Sequence, residues 1–236
     1  YMHSLMCSQY ASAEAQMPLF SNINSSETVI PGPAGNDIDL FIDRPNQSLE
    51  SLPCIVHLHG GGMSFDSAKN PLTVRWRKSL AQMGTVVIGV EFSSETLRTE
   101  NQPFPNGLND CAAAVRWARD NKDQLGISSL IVIGESGGGN LAVATAIKAN
   151  IEGWIDAIDG VYAMAPMILG FYGGAPPSLM SWRENLNYQG SLEMIRAMTK
   201  VYDPLDQHET NPMAWPFHAN EDCLRGLPPH MILNYE

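Results

Sequence analysis

Gly134-Glu135-Ser136-Gly137-Gly138 follows the apolar run Leu130-Ile131-Val132-Ile133 and precedes an alanine-rich stretch at residues 140–149 with helical character. That order reads as strand, sharp turn and helix, with a serine at the turn. Glycines on both sides suit a serine held in a strained backbone conformation, where larger neighbours would clash. The strain pushes the hydroxyl out at the top of a sheet, within reach of a substrate carbonyl. Ser136 is therefore the candidate nucleophile, and it needs an acid and a base from later in the chain.

Working outward, Thr28-Val29-Ile30 and residues 37–42 read as strands separated by the turn signal Pro31-Gly32-Pro33. Residues 53–58 and 85–90 are apolar enough for buried strands. A helix is expected over about residues 72–83, with Gly84 as its stop. A second carries Leu108, Cys111, Ala112, Val115 and Ala118 at helical spacing and ends at Gly126. Beyond the serine lie a strand at residues 160–164, an irregular stretch at 169–229 with one helix near 192–201, and a last strand at 230–235. Alternating strands and helices with continuously apolar strands indicate an α/β protein. Its sheet is mostly parallel with helices on both faces, and the first two strands pair antiparallel at one edge. The 169–229 stretch is too long for a simple connection and reads as a lid or binding-loop insertion.

The second chemical signal is His59-Gly60-Gly61-Gly62, directly after the strand ending at Leu58. Ester hydrolysis creates a negative oxygen in a tetrahedral intermediate, and backbone N–H groups aimed at it stabilise it. Losing one such donor costs about 3 kcal/mol. Gly60 and Gly61 are the expected oxyanion donors, with the Gly137 N–H as a third. No Lys-Ser or Lys-Thr follows these glycines, which excludes a phosphate-binding P-loop. His57 and His59 share a face, but no third ligand lies at metal spacing, so no metal is called for. His59 is expected to anchor the loop through hydrogen bonds. Glu135 reads as a hydrogen-bonding neighbour of the serine rather than as the triad acid. The chemistry needs no cofactor.

The 236 residues suffice for one domain with a sizeable core; 44% are hydrophobic and 17% charged, as in folded soluble proteins. A net charge of −11 without a basic block disfavours nucleic acid and anionic membranes as partners. Cys7, Cys54, Cys111 and Cys223 are widely spaced and read as buried free thiols. With no apolar run of membrane-spanning length and no signal-peptide pattern in the first twenty residues, a cytoplasmic location is expected.

His59-Gly60-Gly61-Gly62 and Gly134-Glu135-Ser136-Gly137-Gly138, with Pro103-Phe104-Pro105-Asn106-Gly107-Leu108-Asn109-Asp110 between them, resemble the hormone-sensitive-lipase-like α/β-hydrolases. The brefeldin-A-esterase-like carboxylesterases are the nearer match. Val90-Glu91-Phe92, Tyr202-Asp203-Pro204, Ala214-Trp215-Pro216 and Leu224-Arg225-Gly226-Leu227-Pro228-Pro229 continue the likeness, which covers residue 53 to the last. The resemblance implies an α/β-hydrolase fold with a helical cap. The cap would be built from an N-terminal segment, residues 1–27, and an insertion at about 169–215 on a core of residues 28–236. It also implies a serine carboxylesterase that forms an acyl-enzyme from small or medium uncharged esters or lactones. Two departures stand out. Ser93-Ser94 occupies a place where such proteins carry an arginine, with Arg98 only a distant substitute.

The second departure concerns the triad. The resemblance puts the acid just after the strand at 230–235, where this sequence reads Asn234-Tyr235-Glu236, and the histidine further on. Both are thus expected beyond Glu236, so residues 1–236 are expected to be an incomplete enzyme lacking C-terminal strands and a helix, with little activity. Asp203, Asp206, His208 and His218 follow Ser136 in the right order but match cap or connecting regions. His230 opens a strand, at the end away from the site. The expected partner is a small-molecule ester, with a homodimer or a complementing C-terminal fragment also open. Two other readings are a non-catalytic small-molecule receptor on the same scaffold and a truncated partner-binding fragment. Phe171, Tyr172, Trp182 and Trp215 could line a pocket or pack in the core.

Overall fold

The structure, a computed structural model, describes residues 20–46, 51–92, 103–170, 180, 184 and 192–234. Among the described residues seven strands form one sheet: β1 (Ile23–Pro31), β2 (Asp37–Pro45), β3 (Leu52–Leu58), β4 (Val86–Glu91), β5 (Ile127–Glu135), β6 (Gly160–Met164) and β7 (His230–Leu233). The order is β1-β2-β4-β3-β5-β6-β7. β1 pairs antiparallel with β2, and β2 antiparallel with β4; every other pairing is parallel. The helices are α1 (Pro71–Gln82), α2 (Asn106–Asp120), α3 (Lys122–Leu125), α4 (Gly137–Ile151), α5 (Leu192–Tyr202) and α6 (Glu221–Leu224). This is the expected α/β-hydrolase architecture, with its antiparallel edge.

The central strands are apolar throughout because both faces are covered. From β3, Cys54, Val56 and Leu58 face one side, where they join Ile88 and Val90 of β4 and Leu130 and Val132 of β5 in the main core. α2 and α4 seal that side. Twelve of the fifteen α4 residues are buried, so this helix is interior on all sides rather than amphipathic. On the opposite face Ile55, Val87 and Ile133 pack with Ala81 of α1.

Three boundaries differ from the sequence reading. β1 starts at Ile23, so Ile23-Asn24-Ser25-Ser26-Glu27, assigned to the N-terminal segment, pair with β2 instead. α2 stops at Asp120; the short α3 follows, and Gly126 caps α3 with φ +60°. Tyr202, Ala214 and Trp215, at the end of the stretch assigned to the insertion, are fully buried in the main core. Their rings stack edge to face, Tyr202 against Trp215 at 5.4 Å and against Phe104 at 5.7 Å. Trp215 is thus core rather than pocket. Phe171, Tyr172, Trp182, Ser93, Ser94, Arg98, Cys7, Tyr235, Glu236 and residues 1–19 lie outside the described residues. Cys54 and Cys111 are buried free thiols, whereas Cys223 is half-buried. Burial pushes the Cys54 thiol up to about 12, which leaves it inert. Among the described residues, no helix is long and apolar enough to cross a membrane.

One buried ion pair fixes α1 to the sheet. Arg77 Nε donates to Asp43 Oδ2 at 3.1 Å, with side chains 3% and 2% exposed. Its stem crosses β4 where Gly89 has no side chain; a Cβ there would lie 2.6 Å from Arg77 Cδ. Its Nη1 donates to the Ala68 carbonyl, which ties the loop before α1 to the same point. Asp43→Ala is expected to lower unfolding free energy by about 3–5 kcal/mol in urea titration, because the guanidinium stays buried without a counter-charge. The double variant Asp43→Leu/Arg77→Met is expected to recover most of that loss.

Candidate active site

β3 and β5 are neighbours in parallel register, with Leu58 beside Gly134. The loops that follow them leave the same edge of the sheet side by side. In parallel α/β sheets ligands bind at this edge, outside the carboxyl ends of the strands. Residues 59–68 form one loop, and Ser136 forms the turn into α4.

Ser136 has φ +53° and ψ −115°, a conformation that non-glycine residues rarely hold. The backbone holds it from two sides: its N–H donates to the Met164 carbonyl at 2.9 Å, and its carbonyl accepts the Met167 N–H at 3.0 Å. Its side chain is exposed. The glycines of the motif have a packing cause. A Cβ on Gly134 would collide with the Gly138 carbonyl, and one on Gly138 with the Leu58 and His59 carbonyls. Gly137 lies flat against the loop, its missing Cβ 2.6 Å from Gly62 N. Asn140, one turn into α4, is fully buried. Its Nδ2 donates to the carbonyls of Met167 and Ala214 at 2.8 and 3.0 Å, which binds the post-β6 turn to the helix.

Glu135 joins the two loops. Its Oε1 accepts the Gly60 N–H at 2.9 Å, and its Oε2 lies 3.1 Å from His57 Nε2. Burial raises this carboxyl, but the His57 hydrogen bond and charge, with the Gly60 N–H, outweigh burial and hold it below its ordinary value. Glu135 therefore has the hydrogen-bonding place expected from the sequence. Gly60 does not: its N–H is engaged by Glu135 and cannot also point at a substrate oxygen. Among the described residues, the N–H groups of Gly61, Gly62 and Gly137 have no acceptor. Gly62, not singled out in the sequence reading, thus has an open amide where Gly60 does not.

His59, expected from the sequence to anchor the loop, is buried against it. Its ring is fully buried and stacks flat on Phe92, centroids 4.1 Å apart. Its Nδ1 lies 2.9 Å from the Gly60 carbonyl, and burial pushes the ring down to about 4. Glu91 was not singled out by sequence. It accepts the Ser67 hydroxyl at 2.7 Å and the Ala68 N–H at 3.0 Å, so it holds the far end of the same loop. α5 covers the loop: Met198 Sδ sits 2.6 Å from where a Gly62 Cβ would be.

The remaining candidates lie elsewhere or are engaged. Asp203 accepts the N–H groups of Gln207 and His208, Asp206 pairs with Lys200, His208 packs on Phe104 and His218 on Phe217. His230 pairs with Val161 at the start of β6, the end of the sheet away from Ser136. β7 runs parallel to β6, and Leu233 reaches the Ser136 edge beside Met164. Gly138→Ala is expected to force the turn off the end of β3. A loss of roughly 1–3 kcal/mol in urea unfolding is the expected overpacking cost, with a wild-type result excluding the close approach.

Comparison with known proteins agrees with this geometry. Residues 55–236 match the α/β-hydrolase fold family. Brefeldin A esterase, described as a bacterial homologue of human hormone-sensitive lipase, superposes with a TM-score of 0.89 at 38% identity, over 97% of this chain and 67% of that one. Human hormone-sensitive lipase is 30% identical over 147 residues, 61% of this chain and 13% of that protein. Carboxylesterase NlhH of Mycobacterium tuberculosis H37Rv is 32% identical over 119 residues, 50% of this chain and 36% of that protein. The chain thus spans well under half the length of these curated relatives. It belongs to the α/β-hydrolase family, in the carboxylesterase and lipase group that contains hormone-sensitive lipase and brefeldin A esterase.

Proposed function

We propose that the chain carries the nucleophile and oxyanion loop of a serine carboxylesterase acting on small or medium uncharged esters. The observation that carries this reading is the exposed, strained Ser136 beside three backbone N–H groups without acceptors among the described residues. Ser136 Oγ attacks the ester carbonyl carbon while a base takes its proton. The N–H groups of Gly61, Gly62 and Gly137 stabilise the oxyanion. Collapse expels the alcohol and leaves an acyl-serine, which water then hydrolyses with the same base.

Neither histidine of the loop serves as that base. His57 Nε2 is engaged by Glu135, and His59 is fully buried with Nδ1 against its own loop. The acid and base are assigned to chain following β7, beyond Glu236. The register supports this, since β7 ends with Leu233 beside Met164 at the Ser136 edge.

The test is turnover of a chromogenic short-chain ester by the whole protein. Ser136→Ala is expected to lower kcat by roughly 10⁴- to 10⁶-fold; equal turnover by wild type and variant would sink the assignment. A polypeptide of residues 1–236 alone is expected to turn over little ester. Near-full activity in a sample whose intact mass ends at Glu236 would refute the placement of acid and base. Glu135→Ala, which unties the loop from the turn, is expected to reduce kcat by roughly tenfold or more while changing KM little, because the oxyanion exists only past the ground state.

A further inference from the structure

We infer that Glu91 is a positioning residue for the glycine loop, holding a proton between its own Oε1 and Nε2 of His59. The tautomer of His59 follows from its contacts. Nδ1 faces the Gly60 carbonyl at 2.9 Å, and a carbonyl only accepts, so Nδ1 carries the hydrogen. A neutral ring then presents a bare lone pair at Nε2. What faces Nε2 is Glu91 Oε1, 3.7 Å away.

The two oxygens of Glu91 are not equivalent. Oε2 accepts the Ser67 hydroxyl and the Ala68 N–H. Oε1 and His59 Nε2 are buried, and neither has a hydrogen-bond partner among the described residues. Two bare acceptors facing each other in a dry site repel. One proton on Oε1 converts that repulsion into an O–H···N bond, once a small side-chain rotation shortens the gap by about 1 Å to hydrogen-bond length. Phe92 holds the ring flat, so the carboxyl makes the adjustment.

Charged groups on several elements act on the pair, in both directions. Asp66, Glu135 and His57 act on His59; Lys69, Asp39 and Arg77 act on Glu91. Lys69 is paired with Asp39 and Arg77 with Asp43. Burial pushes the Glu91 carboxyl up to about 7, which favours keeping the proton. Glu91 thus staples both ends of the loop, His59 through Oε1 and Ser67-Ala68 through Oε2. Losing the proton turns the His59 staple into a repulsion.

The sign of the pH dependence follows. The Glu91 proton is held more tightly in the fold than in the unfolded chain. Its stabilisation is complete below the ordinary value of 4.5 and is lost as pH rises through about 7. His59 acts oppositely: it stabilises above its ordinary 6.5, and that is lost as pH falls towards 4. Glutamine at position 91 removes the first dependence and leaves the second. Its N–H₂ can donate to His59 Nε2 while its carbonyl accepts from Ser67 and Ala68.

The experiment is the melting temperature of the full chain from about pH 5 to about pH 9, for wild type, Glu91→Gln and Glu91→Ala. Glu91→Gln is expected to match wild type near pH 5 and to exceed it by roughly 5 °C above about pH 8. Glu91→Ala is expected to melt below both throughout. A Glu91→Gln variant as unstable as Glu91→Ala at low pH, or a wild type that never falls relative to glutamine, overturns the inference. The value of the staple for catalysis rests on the esterase reading, so a second measurement follows labelling of Ser136 by a fluorophosphonate. If the melting pattern holds and Ser136 labels in no variant, the esterase reading fails and the shared proton stands. If Ser136 labels and glutamine does not remove the alkaline loss, the shared proton fails and the esterase reading stands.

Discussion

The carboxylate of Glu135 links two loops that the sheet only brings near each other. Parallel neighbours β3 and β5 put the glycine loop and the serine turn at one edge. Proximity alone would leave the loop free to flex, since glycine loses more backbone freedom on ordering than any other residue. Glu135 takes the first amide of the loop, and its position next to Ser136 means that the serine and the loop move together. Once Gly60 is engaged, the next amides, Gly61 and Gly62, are the ones left to face a substrate.

Behind this link the scaffold is rigid for ordinary reasons. α4 is interior on every side, so the turn that feeds it cannot tilt without opening the main core. Asn140 ties α4 to the strand-end turn after β6 and to the Ala214 segment that precedes Trp215. The loop's return into α1 is tied through Ala68 to Arg77 and so to Asp43 in β2. Strain at Ser136 persists because packing and hydrogen bonds over-determine its surroundings.

Much of this was legible in the sequence, and what was not has identifiable causes. Residues 160–164 were read as a strand and form one with the same bounds, because a short apolar run follows a glycine and meets a turn. Residues 23–27 were missed because an edge strand is held by backbone pairing, and polar side chains suffice there. α4 was expected from residue 140 and starts at Gly137; glycines read as poor helix formers, yet close approach to the loop and to β3 requires them. The motif named the loop but not the donor, since no local pattern says that Glu135 occupies the Gly60 amide. Met198 over Gly62, and Glu91 beside His59, are contacts between elements far apart in the chain, which spacing cannot reveal.

A site proposed to stabilise a developing negative oxygen would be poorly served by nearby carboxylates, and this one has two. The structure handles them differently. Glu135 stays ionised, but its charge is directed into His57 and the Gly60 N–H. Glu91 has the more buried side chain, and among the described residues no lysine or arginine lies within ion-pair distance of it. Ionised, it would add a second negative charge behind the same loop, with little water to screen it. Held neutral, it still accepts from Ser67 and Ala68 and still braces His59. One acid thus anchors the loop as an anion whose charge is matched, and the other anchors it as a neutral group, so the loop is held at both ends without a field that opposes the oxyanion.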